Sequence, residues 1–206
     1  MDSLLPYKIA ISLLPRIGNA LARNLIAYAG GIKEALALSP RQMQKVPGIG
    51  AVLAQNIART PIKAAVETEM RFIEKHNIRP LFFLDKDYPE RLKHCEDAPV
   101  MLYVKGPAGL SPQRAVSIVG TRSATQQGLA YCKELVAAMA QRQYPVTIIS
   151  GLAYGIDICA HRAALEYNLP TVAVLGHGLH TLYPAAHRNE AAKIIQQGGA
   201  LLTEYT

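Results

Sequence analysis

From residue 115 to residue 205, short apolar runs alternate with amphipathic stretches in one unbroken rhythm. The apolar runs are AVSIVG (115–120), VTIISG (146–151), TVAVLG (171–176) and ALLTEY (200–205). Between them lie TQQGLAYCKELVAAMAQRQ (125–143), GIDICAHRAALEYN (155–168) and HRNEAAKIIQQG (187–198), which carry helical periodicity. The first three runs show no polar alternation, so each strand is expected to be buried on both faces. That is the habit of a parallel sheet. Strand, helix, strand in repetition predicts an α/β fold with an open doubly wound, Rossmann-like parallel sheet. In such sheets ligands sit beyond the carboxyl ends of the strands. Three of the runs end there in glycine: Gly120, Gly151 and Gly176.

Several chemistries can be tested at those strand ends. GTRSATQQG lacks the glycine spacing of a dinucleotide fingerprint, and Ser150-Gly151 stands where a ribose-holding acid belongs. No GxxxxGK[ST] loop is present. Ser150, Asp157 and His161 suggest a hydrolase, but no GxSxG elbow surrounds the serine. Asp157 and His161 are four residues apart on one helix, a spacing that lets them pair and brace a loop. His177, His180 and His187 lie without helical register or a carboxylate pair, so no metal site is expected.

An anion site fits better. Gly120-Thr121-Arg122-Ser123 precedes a helix that Thr125 can cap. Ser150-Gly151-Leu152-Ala153-Tyr154-Gly155 precedes the next. Two neighbouring loops of small residues can turn backbone N–H groups and hydroxyls towards one crevice. Arg122 adds a planar, permanently charged fork. Tyr154 and Tyr183 offer rings on which bases can stack.

The first 64 residues form a different module. PRIGNALARNLI (15–26) and PGIGAVLAQNIA (47–58) agree at six of twelve positions, at an offset of 32 residues. YKIAISLL and SPRQMQKV supply a helix before each copy, the latter started by Ser39 as N-cap and Pro40 at N1. Each turn ends a helix, plugs the core with isoleucine and opens a second helix. This predicts a small all-α SAM-like domain of tandem helix-hairpin-helix motifs over 1–64, ahead of a Rossmann-like domain over 65–206. Gly18, Gly48 and Gly50 are its candidate DNA contacts. Residues 1–64 carry eight Lys/Arg against two acids, net +6, and the remainder is near neutral at +1. The imbalance favours a polyanionic partner for the helical module. TPIKAAVETEMRFIEKHNI (60–78) reads as a connecting helix capped by Thr60 with Pro61 at N1. RPLFFL (79–84) and VMLYVKG (100–106) read as strands. No apolar run is long enough to span a membrane, and MDSLLPYKIA has no signal-peptide pattern. Cys95, Cys132 and Cys159 form no CxxC pair, which fits buried thiols in a reduced, cytoplasmic protein.

VSIVGTRSAT, IISGLAYGIDICAHRAAL, TVAVLGHGLHTLYPAAHRN and GGALLTEY, in this order and spacing, resemble the DNA-processing protein A (DprA, or Smf) family. So does YPERLKHCEDAPVMLYVKG after a SAM-like domain. The resemblance covers essentially the whole chain. It implies a cytoplasmic protein that binds single-stranded DNA, protects incoming DNA in natural transformation and helps load the RecA recombinase. It also implies a homodimer, no cofactor and no catalysis on DNA. Carried over, Arg122 is the chief phosphate contact. Ser150, Gly151 and Ala153 line its pocket, Asp157 and His161 shape it, and Tyr183 closes one side. Tyr154 stands where many relatives have arginine. Relatives also continue past LLTEYT through a basic segment, so the Rossmann-like domain is expected to be C-terminally incomplete. Two other readings stay open. One is a Rossmann-like nucleoside-phosphate enzyme, although no PGGxGT-type loop is present. The other is binding of duplex DNA or a protein through the basic helical domain.

Overall fold

The computed structural model describes residues 2–142 and 146–205. The chain forms two compact units, 1–101 and 102–206.

The first unit begins with α1 (Leu5–Ser12), α2 (Asn19–Ala29), α3 (Ile32–Ala37), α4 (Pro40–Met43), α5 (Ala51–Arg59) and α6 (Lys63–Lys75). The repeat seen in the sequence becomes one turn built twice. α2 starts from Gly18 at φ −78°, ψ 174°, and α5 from Gly50 at φ −81°, ψ 173°. Ile17 and Ile49 are both buried beneath these turns. Arg16 and Gly48 occupy the same place and share positive φ, 57° and 89°. At 48 a Cβ would lie 2.6 Å from Leu21 Cδ2, so a side chain there would have to displace that methyl. Ser39 caps α4 in a reciprocal capping box with Gln42.

The expected cap of the connecting helix is wrong. α6 starts at Lys63, behind Ile62, and Thr60 instead closes α5. The Thr60 hydroxyl donates to the Asn56 carbonyl four residues back at 2.8 Å, so it is not available to a following helix. β1 (Arg79–Phe82) and the short α7 (Glu90–Lys93) complete this unit. The sequence boundary at 64/65 falls inside it. Arg23 explains part of that continuity: its guanidinium donates to the carbonyls of Cys95, Glu96 and Ala98 at 3.2, 2.8 and 2.5 Å. Lys8, nearly buried, is held between Asp2 and Asp85.

The second unit is a sheet with strands in the order β2-β6-β5-β4-β3. These are β2 (Met101–Lys105), β3 (Ala115–Ser117), β4 (Thr147–Ser150), β5 (Thr171–Val174) and β6 (Ala200–Thr203). α8 (Gln126–Gln141), α9 (Ile156–Glu166) and α10 (Arg188–Gln196) connect β3 to β6 in turn. The predicted end of α8 at residue 143 lies outside the described residues. The α/β class and the all-α region ahead of it stand as expected. Two details differ. The sheet is mixed, because β2 runs antiparallel to β6, with Tyr103 opposite Thr203. The parallel strands β3, β4, β5 and β6 also follow one another in a single direction, without the reversal of a doubly wound sheet. Right-handed crossovers then place all three helices on one face. The packing agrees: α9 sits between α8 and α10. Val136, Ile148 and Ala160 fill the core between α8, α9 and β4, and Ile158, Ala173, Ile194 and Leu201 fill the next layer. No helix among the described residues is long and apolar enough to cross a membrane.

All three cysteines are free. Burial, with Cys159 alongside, pushes the Cys132 thiol up to about 12. Cys95 departs from the expected burial and is exposed, on the loop after α7.

Candidate nucleic-acid interface

The loops after β3, β4 and β5 meet at the carboxyl edge of the sheet. Their positions are set by close approaches at two glycines. Gly155 has φ +77°, and a Cβ there would overlap the Thr121 carbonyl oxygen. That carbonyl instead accepts the Ile156 N–H at 3.2 Å, which joins the first loop to the start of α9. A Cβ on Gly120 would lie 2.6 Å from Ile156 Cγ1. Within the first loop Thr121 Oγ1 accepts the Ser123 N–H at 3.2 Å, and Thr125 caps α8 by accepting the Gly128 N–H at 3.1 Å.

These loops enclose a crevice of about 300 Å³. Arg122, Gly151, Leu152, Ala153, Tyr154, Asp157 and Tyr183 all line it, so the structure gathers seven of the predicted residues. Gly120, Thr121, Ser123 and Gly155 form the framework behind it. Arg122 is exposed, and its guanidinium makes no hydrogen bond or ion pair among the described residues. Asp157 is 8% exposed, and its Oδ1 has no hydrogen-bond partner among them. A side chain at 151 would meet Asp157 Oδ2 at 2.5 Å, so glycine there admits the carboxylate to the crevice wall.

Two predicted roles are corrected. Ser150 does not face the crevice. It is buried, and its hydroxyl donates to the Ile118 carbonyl at 2.6 Å, pinning β4 to the end of β3. His161 does not pair with Asp157. Its ring is wholly buried, with Nε2 donating to the Gly151 carbonyl at 2.6 Å. Thr171 Oγ1 lies 2.7 Å from Nδ1 and 2.9 Å from the Ile148 carbonyl. Burial pushes the imidazole below its ordinary value, against the opposing pull of its backbone bonds. His161 thus ties the crevice loop to β5 from behind.

This burial has a pH consequence. A histidine with a lowered folded pKa binds its proton more readily when unfolded. Stability is therefore complete above the unfolded value of 6.5 and falls as pH drops below it. The loss approaches about 1.4 kcal/mol per pH unit until the folded group itself titrates. Denaturant melts of wild type and His161→Gln between neutral and mildly acid pH should show a shallower acid loss in the variant. Equal slopes would remove His161 from the acid response.

Sequence reasoning missed Val174, His177 and Pro184, which also line the crevice. His177 Nε2 accepts the Tyr183 N–H at 3.2 Å, and Nδ1 donates to the Gly178 carbonyl at 3.0 Å. His177 thereby closes the loop that carries Tyr183. A histidine right after a strand-end glycine was the available signal. His180 is exposed, and buried His187 binds the Leu152 carbonyl at 2.7 Å through Nδ1. The three histidines thus do separate work, and no cluster of three metal-ligating side chains occurs among the described residues.

In the first unit the two hairpins differ in what faces them. Asn19, first in α2, accepts the Val100 N–H at 3.0 Å, and Arg23 is held by carbonyls as described. The matching positions in α5, Ala51 and Gln55, are exposed. Gly18 and Gly50 both have open space beside them, whereas Gly48 is packed under Leu21. Arg41 and Arg59 flank a shallow groove with Gln44 and Gln55.

Residues 79–206, more than half of the chain, match a family model described as DNA recombination-mediator protein A. The chain belongs to this family. Among its relatives, Protein Smf of Escherichia coli K12 is 36% identical over 152 residues, covering 74% of this chain and 40% of its own length. Protein Smf of Synechocystis is 31% identical over 206 residues, covering 97% of this chain and 50% of its own. The chain thus spans half or less of the length of these relatives. The X-ray structure of DNA processing protein A from Streptococcus pneumoniae superposes with a TM-score of 0.74 at 24% identity, over 97% of this chain and 67% of that one. It shares the fold. A structure of DNA processing protein A from Helicobacter pylori, reported for its single-stranded DNA binding mode, aligns at TM-score 0.52 and 27% identity over 62% of this chain and 55% of that one.

Proposed function

We propose that the crevice between the GTRS and SGLAYG loops binds single-stranded DNA. The observation that carries this is Arg122: a free, exposed guanidinium on a rigid loop, at the mouth of a crevice flanked by two half-exposed or exposed tyrosines. The guanidinium can grip a phosphate bidentately. Tyr154 and Tyr183, 45% and 63% exposed, present ring faces to bases without reading their sequence. Gly120, Thr121, Ser123 and Gly155 hold the loops. Gly151, Leu152, Ala153 and Asp157 form the wall, and His161 acts from behind it. Ser150 contributes through its place in β4. The family supports a wider role: shielding incoming DNA during natural transformation and passing it to the RecA recombinase, as a homodimer, with binding rather than catalysis as the chemistry.

The test is fluorescence anisotropy with single- and double-stranded oligonucleotides across a salt series. The protein should prefer single strands, with an affinity that falls as salt rises. A preference for duplex would move the function to the first unit, where Gly18, Gly50 and the Arg41–Arg59 groove stand open. Binding of a nucleoside phosphate without any oligonucleotide would favour the enzyme reading.

A further inference from the structure

A second concavity adjoins the crevice, and Tyr154 belongs to the walls of both. It runs along α8 and α9, with Leu129, Ile158, Cys159 and Ala163 on its floor and Ala186 at its rim. Tyr154 is fixed as the divider. Its ring stands edge-on to His187, with centroids 4.8 Å apart at 68°. His187 is itself buried and bonded to Leu152. The backbone after Tyr154 is locked by Gly155 against Thr121.

The groove's charge is balanced. Lys133 pairs with Glu166 at 2.9 Å and Arg162 with Glu190 at 2.6 Å across its edge. An apolar floor with paired charges does not suit a phosphate. It suits the flat, weakly polar face of a nucleobase. We propose that the α8–α9 groove is a second base subsite, which takes the nucleotide adjoining the one held at Arg122, with Tyr154 standing between the two bases. This rests on the single-strand reading of the crevice. The phosphate between the two nucleotides stays on the Arg122 side, and the second base contributes stacking and burial but little salt dependence.

Ala186 is exposed, so Ala186→Trp fills the groove from its rim without disturbing the core. It should weaken oligonucleotide binding about tenfold, the scale of one stacked base, and leave the slope of affinity against salt unchanged. Tyr154→Ala should show a similar loss, and Tyr154→Phe should restore binding. Cys159 is a reporter already in place. Bound oligonucleotide should slow its alkylation by N-ethylmaleimide severalfold. Exposed Cys95, in the first unit, should react at an unchanged rate. Unchanged affinity in Ala186→Trp, or an unprotected Cys159 under saturating and Arg122-dependent binding, would overturn the second subsite and leave the crevice reading intact. Binding that ignores Arg122→Ala would sink both.

Discussion

Arg122→Ala should lower single-stranded DNA affinity by about 10- to 150-fold, the loss expected when a charge-assisted hydrogen-bonding group is removed. The slope of log affinity against log salt should become shallower by roughly 0.7, the share of one phosphate on a single strand. Stability should hold within about 0.5 kcal/mol, because an exposed side chain without partners leaves nothing unpaired when it goes. Arg122→Lys should recover the salt slope but only part of the affinity, since the charge returns without the planar fork. Arg59→Ala is the matched comparison. It removes one exposed arginine from the more basic first unit, beside the groove formed with Arg41. Its effect should be several times smaller. Equal losses would show that general positive charge, rather than the crevice, holds the strand.

Much of this arrangement was legible in the sequence because burial leaves a direct trace. Runs such as VTIIS and TVAV are mostly apolar and show no polar alternation, the habit of strands covered on both sides. The glycines at 120, 151 and 155 marked the crevice because close packing against Ile156, Asp157 and the Thr121 carbonyl leaves little room for a side chain. The twofold PxIG pattern showed the hairpins because its isoleucine is buried beneath each turn. What stayed hidden depended on partners distant in the chain. The antiparallel pairing of β2 with β6 joins residues about a hundred positions apart and leaves no local pattern. The direction of the Ser150 hydroxyl was illegible, since a strand buried on both faces gives no polar alternation to read. His161 misled because its helical spacing from Asp157 is a local cue. Its actual partners are Gly151, in the loop after β4, and Thr171, in β5. Thr60 misled in the same manner: the sequence motif of a cap is satisfied, but the preceding helix took the hydroxyl first. The unidirectional strand order was equally out of reach, because alternation alone does not say on which side of the sheet each crossover returns.

Gly155→Ala should test whether the crevice is held by the backbone or merely adjoined by it. The added Cβ would overlap the Thr121 carbonyl oxygen and lie 2.8 Å from the Arg122 carbonyl carbon. Neither neighbour is a flexible side-chain tip. Both belong to the loop that aims Arg122. The backbone at 155, with φ 77° and ψ −124°, is also a conformation that side-chain-bearing residues rarely adopt. Strain and displacement together should reduce stability by about 2–4 kcal/mol, and the Thr121-to-Ile156 hydrogen bond should be lost with the shift. Oligonucleotide affinity should fall at temperatures where the variant is still fully folded, because the first loop moves even when the unit survives. Gly176→Ala supplies the control. It lies in the same crevice, has no positive φ, and has open space where its Cβ would go. Its stability should change by less than about 0.5 kcal/mol. Denaturant unfolding of the two variants, followed by anisotropy under folding conditions, separates the possibilities. A Gly155→Ala protein as stable as Gly176→Ala would mean that the two loops are not locked together. Arg122 would then have to be positioned by the DNA itself rather than presented to it.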